Sequence, residues 1–178
     1  MSMTERKTLR VDIAGVDVIS LAEEFGTPLY VYDAETIRCR FAELRQFEVV
    51  RYAQKACSNL AILSLLRELG ALVDAVSAGE IHRALAAGYA PNGDPAPIVY
   101  TADIFDRDAL DLVVQHGIHV NCGSRDMLHQ LGKRASGREI TLRINPGFGH
   151  GHSRKTNTGG ELSKHGIWFE QLPDVLSE

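Results

Sequence analysis

Cysteine is scarce in this chain, basic charge is not in excess, and no long apolar run interrupts it. The three cysteines, Cys39, Cys57 and Cys122, are odd in number and widely spaced. That pattern excludes a disulfide framework and a zinc site built on paired cysteines, so they read as reduced thiols. With 19 Lys and Arg against 23 Asp and Glu, the formal net charge is -4, which offers no basic face to nucleic acid. No stretch approaches the ~18 consecutive apolar residues of a membrane span. The opening MSMTERKTLRVDIAG lacks the apolar centre of a signal peptide. These absences predict a cytoplasmic protein with no nucleic-acid or membrane partner. What is present is ordinary for a globular protein: 178 residues, 44% hydrophobic and 24% charged, enough for one domain with a sizeable core.

Strand-like and helix-like segments alternate. Short β-rich runs fall near Glu48 to Ala53, Ala71 to Val76, Ile98 to Thr101, Ile118 to Asn121 and Glu139 to Asn145. Between them, NLAILSLLRELG spaces Leu60, Leu63, Leu66 and Leu69 along one helical face and stops at Gly70. SAGEIHRALAAG opens with Ser77 three residues before Glu80, a capping-box spacing, and closes at Gly88. DRDALDLVVQHG and SRDMLHQLGKRA repeat the plan with Asp106 and Ser124 as N-caps. Upstream, a strand is expected at Leu29 to Tyr32 and a helix capped by Asp33. The alternation predicts a parallel α/β fold. An open doubly wound sheet and the first strands of a closed (β/α)8 barrel both accommodate it, and the barrel ordinarily needs about 250 residues. The ending WFEQLPDVLSE reads as a helix starting near Leu172 with Pro173 in its first turn and no stop signal, which favours an interrupted chain.

In either architecture ligands gather at the carboxyl ends of the strands, and Lys55 in VVRYAQKACSNLAIL stands at that end of the first strand of the series. One reading is a lysine whose stem packs while its ammonium reaches water. The other is a catalytic amine: a lysine in partly apolar surroundings loses its proton more readily, and the neutral amine condenses with an aldehyde to a Schiff base. Its neighbours Ala53, Ala56, Ser58 and Asn59 are small or polar and leave room for a flat cofactor.

YAQKACSNLAILSLLRELG, VDAVSAGEIHRALAAG, ITLRINPG and SKHGI, in this order, resemble the pyridoxal-phosphate decarboxylases of the alanine-racemase-like barrel class, and among them the diaminopimelate decarboxylases. The resemblance runs from about Thr27 to the last residue, with Gln54 and Cys57 as local departures. It implies a partial (β/α)8 TIM-type barrel from 33 to 178, preceded by an N-terminal segment and flanking strand over 1 to 32, with the family's C-terminal β-domain lying outside the chain. It further implies pyridoxal 5'-phosphate as cofactor, bound covalently by Lys55, and release of carbon dioxide from meso-diaminopimelate to give L-lysine. Asp74 and Arg143 match positions near the cofactor. An inward arginine among apolar residues needs a counter-charge, and Asp74 is the partner expected. Glu80 also matches a family position, but its spacing from Ser77 reads as capping.

The stretch from Pro146 to Gly166 is long and glycine-rich and carries His150, His152, Arg154, Lys155 and Lys164, the composition of a functional loop. GFGHGH is no dinucleotide fingerprint, since His152 stands where a third glycine belongs. Two histidines without a third ligand make a weak metal site. By the resemblance Lys164 of SKHG matches a position that faces a second subunit, and an incomplete barrel would expose apolar strand edges and helix faces, so a homo-oligomer is expected. Two function classes stay open: an enzyme of this kind, including a decarboxylase or racemase for another amino acid, and a non-catalytic α/β remnant.

Overall fold

The strands of the main sheet run in strict sequence order, and that order settles which architecture the alternation encodes. In the computed structural model, which describes residues 9–149, 158–161 and 163–177, β3 (Arg51–Ala53), β4 (Leu72–Ala75), β5 (Ile98–Ala102), β6 (His119–Cys122) and β7 (Thr141–Leu142) are all parallel and each pairs with the next. A doubly wound sheet reverses its strand order at a switch point, and no reversal occurs here. Successive right-handed crossovers in one direction put every helix on one face and curl the sheet toward a barrel. The fold is α/β, the first strands of a (β/α)8 TIM-type barrel.

The intervening helices are α3 (Leu60–Glu68), α4 (Ala78–Ala86), α5 (Arg107–His116) and α6 (Arg125–Arg134). Each starts on a side-chain cap, in order Asn59, Ser77, Asp106 and Ser124, whose oxygen accepts a backbone N–H from the first turn. Along β4 and β6 burial alternates residue by residue. Val73, Ala75, Ile98, Tyr100, Val120 and Cys122 pack with Leu63, Ile81, Val113 and Met127 into one core between sheet and helices. The opposite, inner face carries Asp74, Val99, Thr101, His119, Asn121 and Thr141, and with Arg51 much of it borders a cavity of about 650 Å³.

The run expected as one strand from Glu139 to Asn145 is divided into β7 and β8 (Ile144–Asn145), because its partner changes midway. The Arg143 N–H donates to Cys122 O at 2.8 Å, on β6, while the Arg143 carbonyl accepts from Ile167 N at 2.8 Å. Ile167 belongs to β9 (Ile167–Trp168), parallel to β8. The chain thus passes from one neighbour to the next through Arg143, and β9 extends the series. A helix follows, α7 (Leu172–Ser177), with Pro173 in its first turn as the sequence suggests.

By internal contacts the chain divides into two units, up to Phe47 and from Glu48. In the first, β1 (Asp12–Ile13) and β2 (Val16–Asp17) form a hairpin whose turn residues, Ala14 and Gly15, both have positive φ, the twist a two-residue hairpin favours. Asp17 caps α1 (Val18–Phe25) and Asp33 caps α2 (Ala34–Ala42), the latter as expected. The strand expected at Leu29 to Tyr32 is absent: the segment pairs with nothing as a strand, and Tyr30 is 86% exposed. Its β-forming residues lack a ladder partner, and propensity without a partner does not make a strand.

Candidate active site

β3 ends at Ala53 and the chain at once tightens into a single 3-10 turn, Gln54–Ala56, that carries Lys55. Gln54 is buried, while Lys55 is exposed at the carboxyl end of the strand. The Gln54 amide has no hydrogen-bond partner among the described residues. After the turn, the Tyr52 hydroxyl donates to Cys57 O at 3.0 Å and holds the return toward α3.

Asp74 stands beside this turn because β3 and β4 pair in register, Ala53 against Asp74. Its carboxyl group is pushed above the ordinary carboxylate value, first by burial. A hydrogen bond from Thr101 and the charges of Lys55, Arg51 and Arg143, in that order, oppose the shift without cancelling it. Lys55, Asp74 and Arg143 therefore belong to one electrostatic neighbourhood, although they come from three different strand ends. Arg143 does not make the ion pair expected for it. Its guanidinium Nη1 lies 3.5 Å from both oxygens of Asp103, at the end of β5. The reason is reach: Arg143 sits beyond the end of β7, level with the residues after Ala102, whereas Asp74 lies lower in a strand three places away.

Asp103 and His165 are the residues that sequence reasoning missed. The Asp103 carboxylate accepts from His165 Nδ1 at 2.5 Å and from Gly166 N at 3.1 Å, besides facing Arg143. No periodicity marks residues 40 and 62 positions apart as neighbours. The only signal was chain order, since Asp103 follows β5 as Lys55 follows β3. Glu80 is structural, as read from its spacing, with a changed detail: Glu80 N donates to Ser77 Oγ at 3.3 Å, but its own carboxylate accepts from Val76 N at 2.8 Å, one residue upstream of the cap. Lys164 is exposed and borders a second cavity of about 550 Å³ with Asp103, Ser124, Arg125 and Gly166. His150, His152, Arg154 and Lys155 lie outside the described residues. Among the described residues no three His, Cys, Asp or Glu side chains converge as a metal site.

The arrangement suits an aldehyde cofactor. An exposed primary amine, with Ala53 and Ala56 close by in the chain, supplies the nucleophile and the space. The Asp74 carboxyl group on β4 and the Arg143 guanidinium past the end of β7 supply polar anchors for a flat polar ring.

Comparison with known proteins agrees. Residues 35–178 match the family model described as pyridoxal-dependent decarboxylase, pyridoxal binding domain. The chain is 59% identical over 176 residues to the diaminopimelate decarboxylase of Streptomyces coelicolor, covering 99% of this chain and 40% of that one. It is 58% identical over 165 residues to the diaminopimelate decarboxylase of Escherichia coli K12, covering 93% and 39%. Among solved structures, a diaminopimelate decarboxylase crystal structure superposes with a TM-score of 0.84 at 59% identity, over 89% of this chain and 38% of that one. The diaminopimelate decarboxylase of M. jannaschii, in co-complex with L-lysine, superposes with a TM-score of 0.78 at 30% identity, over 93% of this chain and 42% of that one. The chain spans about two-fifths of the length of these curated relatives.

Proposed function

The chain belongs to the pyridoxal-dependent decarboxylase family, and from that premise we propose that it is the pyridoxal-binding part of an enzyme that decarboxylates meso-diaminopimelate to L-lysine. The observation that carries the reading is Lys55, an exposed amine in the turn that closes a strand, two residues past Ala53, whose register partner is Asp74. Lys55 is the residue that bonds covalently to pyridoxal 5'-phosphate. When bound, the cofactor supplies an electron sink for the charge left as the carboxylate departs. Released from the cofactor, the Lys55 amine stands ready to carry a proton at Nζ. Asp74 and Arg143 complete the cofactor-binding set, Arg143 toward the phenolic side of the ring and Asp74 beside the turn that carries the amine.

The same reading takes residues 33–178 as the beginning of the cofactor-binding barrel and 1–32 as its flanking segment. Among the described residues no helix is long and apolar enough to cross a membrane. Together with the net charge of -4, this supports a cytoplasmic enzyme acting on a small amino acid, with no nucleic-acid or membrane partner. A homo-oligomer belongs to the proposal too, supported by the exposed Lys164 beside the second cavity.

The test is borohydride reduction of the protein mixed with pyridoxal phosphate, followed by peptide mass mapping. The expected result is one reduced adduct, on Lys55, absent from Lys55→Ala. Lys55→Ala in the whole enzyme should also lower carbon dioxide release from meso-diaminopimelate by at least about a hundredfold. An adduct confined to other lysines would refute the assignment.

A further inference from the structure

Arg143 is held by a carboxylate that is itself built in, and that arrangement goes beyond the three residues assigned so far. We propose that Asp103 is a positioning residue for Arg143, fixing where its guanidinium meets the cofactor, with His165 steadying Asp103 in turn. The inference rests on the functional reading above, in which Arg143 faces pyridoxal phosphate.

A carboxylate only accepts hydrogen bonds, so the Nδ1 of His165, 2.5 Å from Asp103 Oδ2, is the nitrogen that carries the hydrogen. That nitrogen has no lone pair to offer Arg143 Nη1, 3.4 Å away. Within the cluster the guanidinium therefore has one partner, Asp103, which it meets at 3.5 Å through Nη1. Among the described residues the other nitrogens of its fork make no hydrogen bond, which leaves them for a ligand. The side chains of Asp103, Arg143 and His165 are 22%, 28% and 29% exposed, enough cover to hold a geometry and enough opening for a cofactor to reach it.

Backbone shape makes room for the carboxylate. A Cβ at Gly123 would overlap Asp103 Oδ1 and lie 2.6 Å from Ala102 O, so only glycine lets the end of β6 pass so close to Asp103. Gly166, at φ +80, donates its N–H to Asp103 Oδ1, and a Cβ there would meet Asn145 N at 3.0 Å and Arg143 O at 3.1 Å. Two glycines thus allow the ends of β5, β6 and β7 and the approach to β9 to converge on one carboxylate. An arginine without that anchor would sample several rotamers, and few of them would present the guanidinium to the ring.

A double-mutant cycle on pyridoxal phosphate affinity, followed by absorbance titration, tests the proposal with Asp103→Asn, Arg143→Gln and the two combined. Asp103→Asn should weaken binding about tenfold when Arg143 is present, and by less than about twofold in the Arg143→Gln background. Equal losses in both backgrounds would make Asp103 a merely structural residue, and unchanged affinity in the single variant would give it no part at all; either overturns the proposal. Should Asp103→Asn fail to fold, His165→Gln loosens the same carboxylate from its other side, and its loss must likewise vanish without Arg143. Failure of the functional reading looks different: the parent protein would then show no borohydride-trapped adduct on Lys55, and the positioning role would fall with it.

Discussion

At Asp74 a carboxyl group has three cations and a hydroxyl donor for company, yet its affinity for a proton stays above the ordinary value of 3.8, because removal from water outweighs them. A raised value in the folded state means that the folded chain binds the proton more tightly than the unfolded one. Below 3.8 both states are protonated and the burial penalty is absent; as pH rises through the folded value the penalty comes on in full. Asp74→Asn is therefore expected to melt at a higher temperature than the parent at pH 7, with the difference shrinking as pH falls toward 4. Thermal unfolding across that range measures it, and a gain that grows on acidification would contradict the assigned cause. Lys55 was legible in sequence because a charged residue closing an apolar run is conspicuous. His165 was not, because nothing local distinguishes a histidine in SKHG from a solvent-facing one until β5 delivers Asp103 to it.

Helices α2 to α6 were the most legible elements, since each begins on a residue whose short polar side chain can satisfy the first turn. Asp106 shows the cap most directly: its Oδ1 accepts from Ala109 N at 2.7 Å, and α5 ends at Gly117 in the left-handed region, φ 65. Asp106→Ala is expected to cost about 1 kcal/mol, a fall in melting temperature of roughly 2–4 °C at this chain length, whereas Asp106→Asn keeps the acceptor and most of the stability. Differential scanning calorimetry of the two variants separates cap from charge. Strands were less legible. Leu29 to Tyr32 has strand-forming residues but joins no sheet, and the run through Arg143 changes partners from β6 to β9. A strand is defined by its neighbour, and a single chain segment does not name that neighbour.

Across the whole molecule burial is unequal between the two units. Neither α1 nor α2 of the first contains a buried residue, while the second concentrates Val73, Ile98, Tyr100, Val120 and Met127 at 1% exposure or less. Native-state hydrogen exchange should accordingly find the slowest amides in β4, β5 and β6 and the fastest helical amides in α1 and α2. Protection of α1 equal to that of β5 would contradict this ordering. By itself the sequence determined the α/β alternation, the helix caps, the family and the amine at Lys55, because each is written in residues close together or in motifs that follow one another in order. Only the tertiary structure decided that the strands run in unbroken sequence, that Asp74 lies beside the Lys55 turn, and that Arg143 answers to Asp103 and not to Asp74. Those are matters of strand register and of how far each chain end projects past its sheet, distances that exist only once residues remote in sequence have been packed side by side.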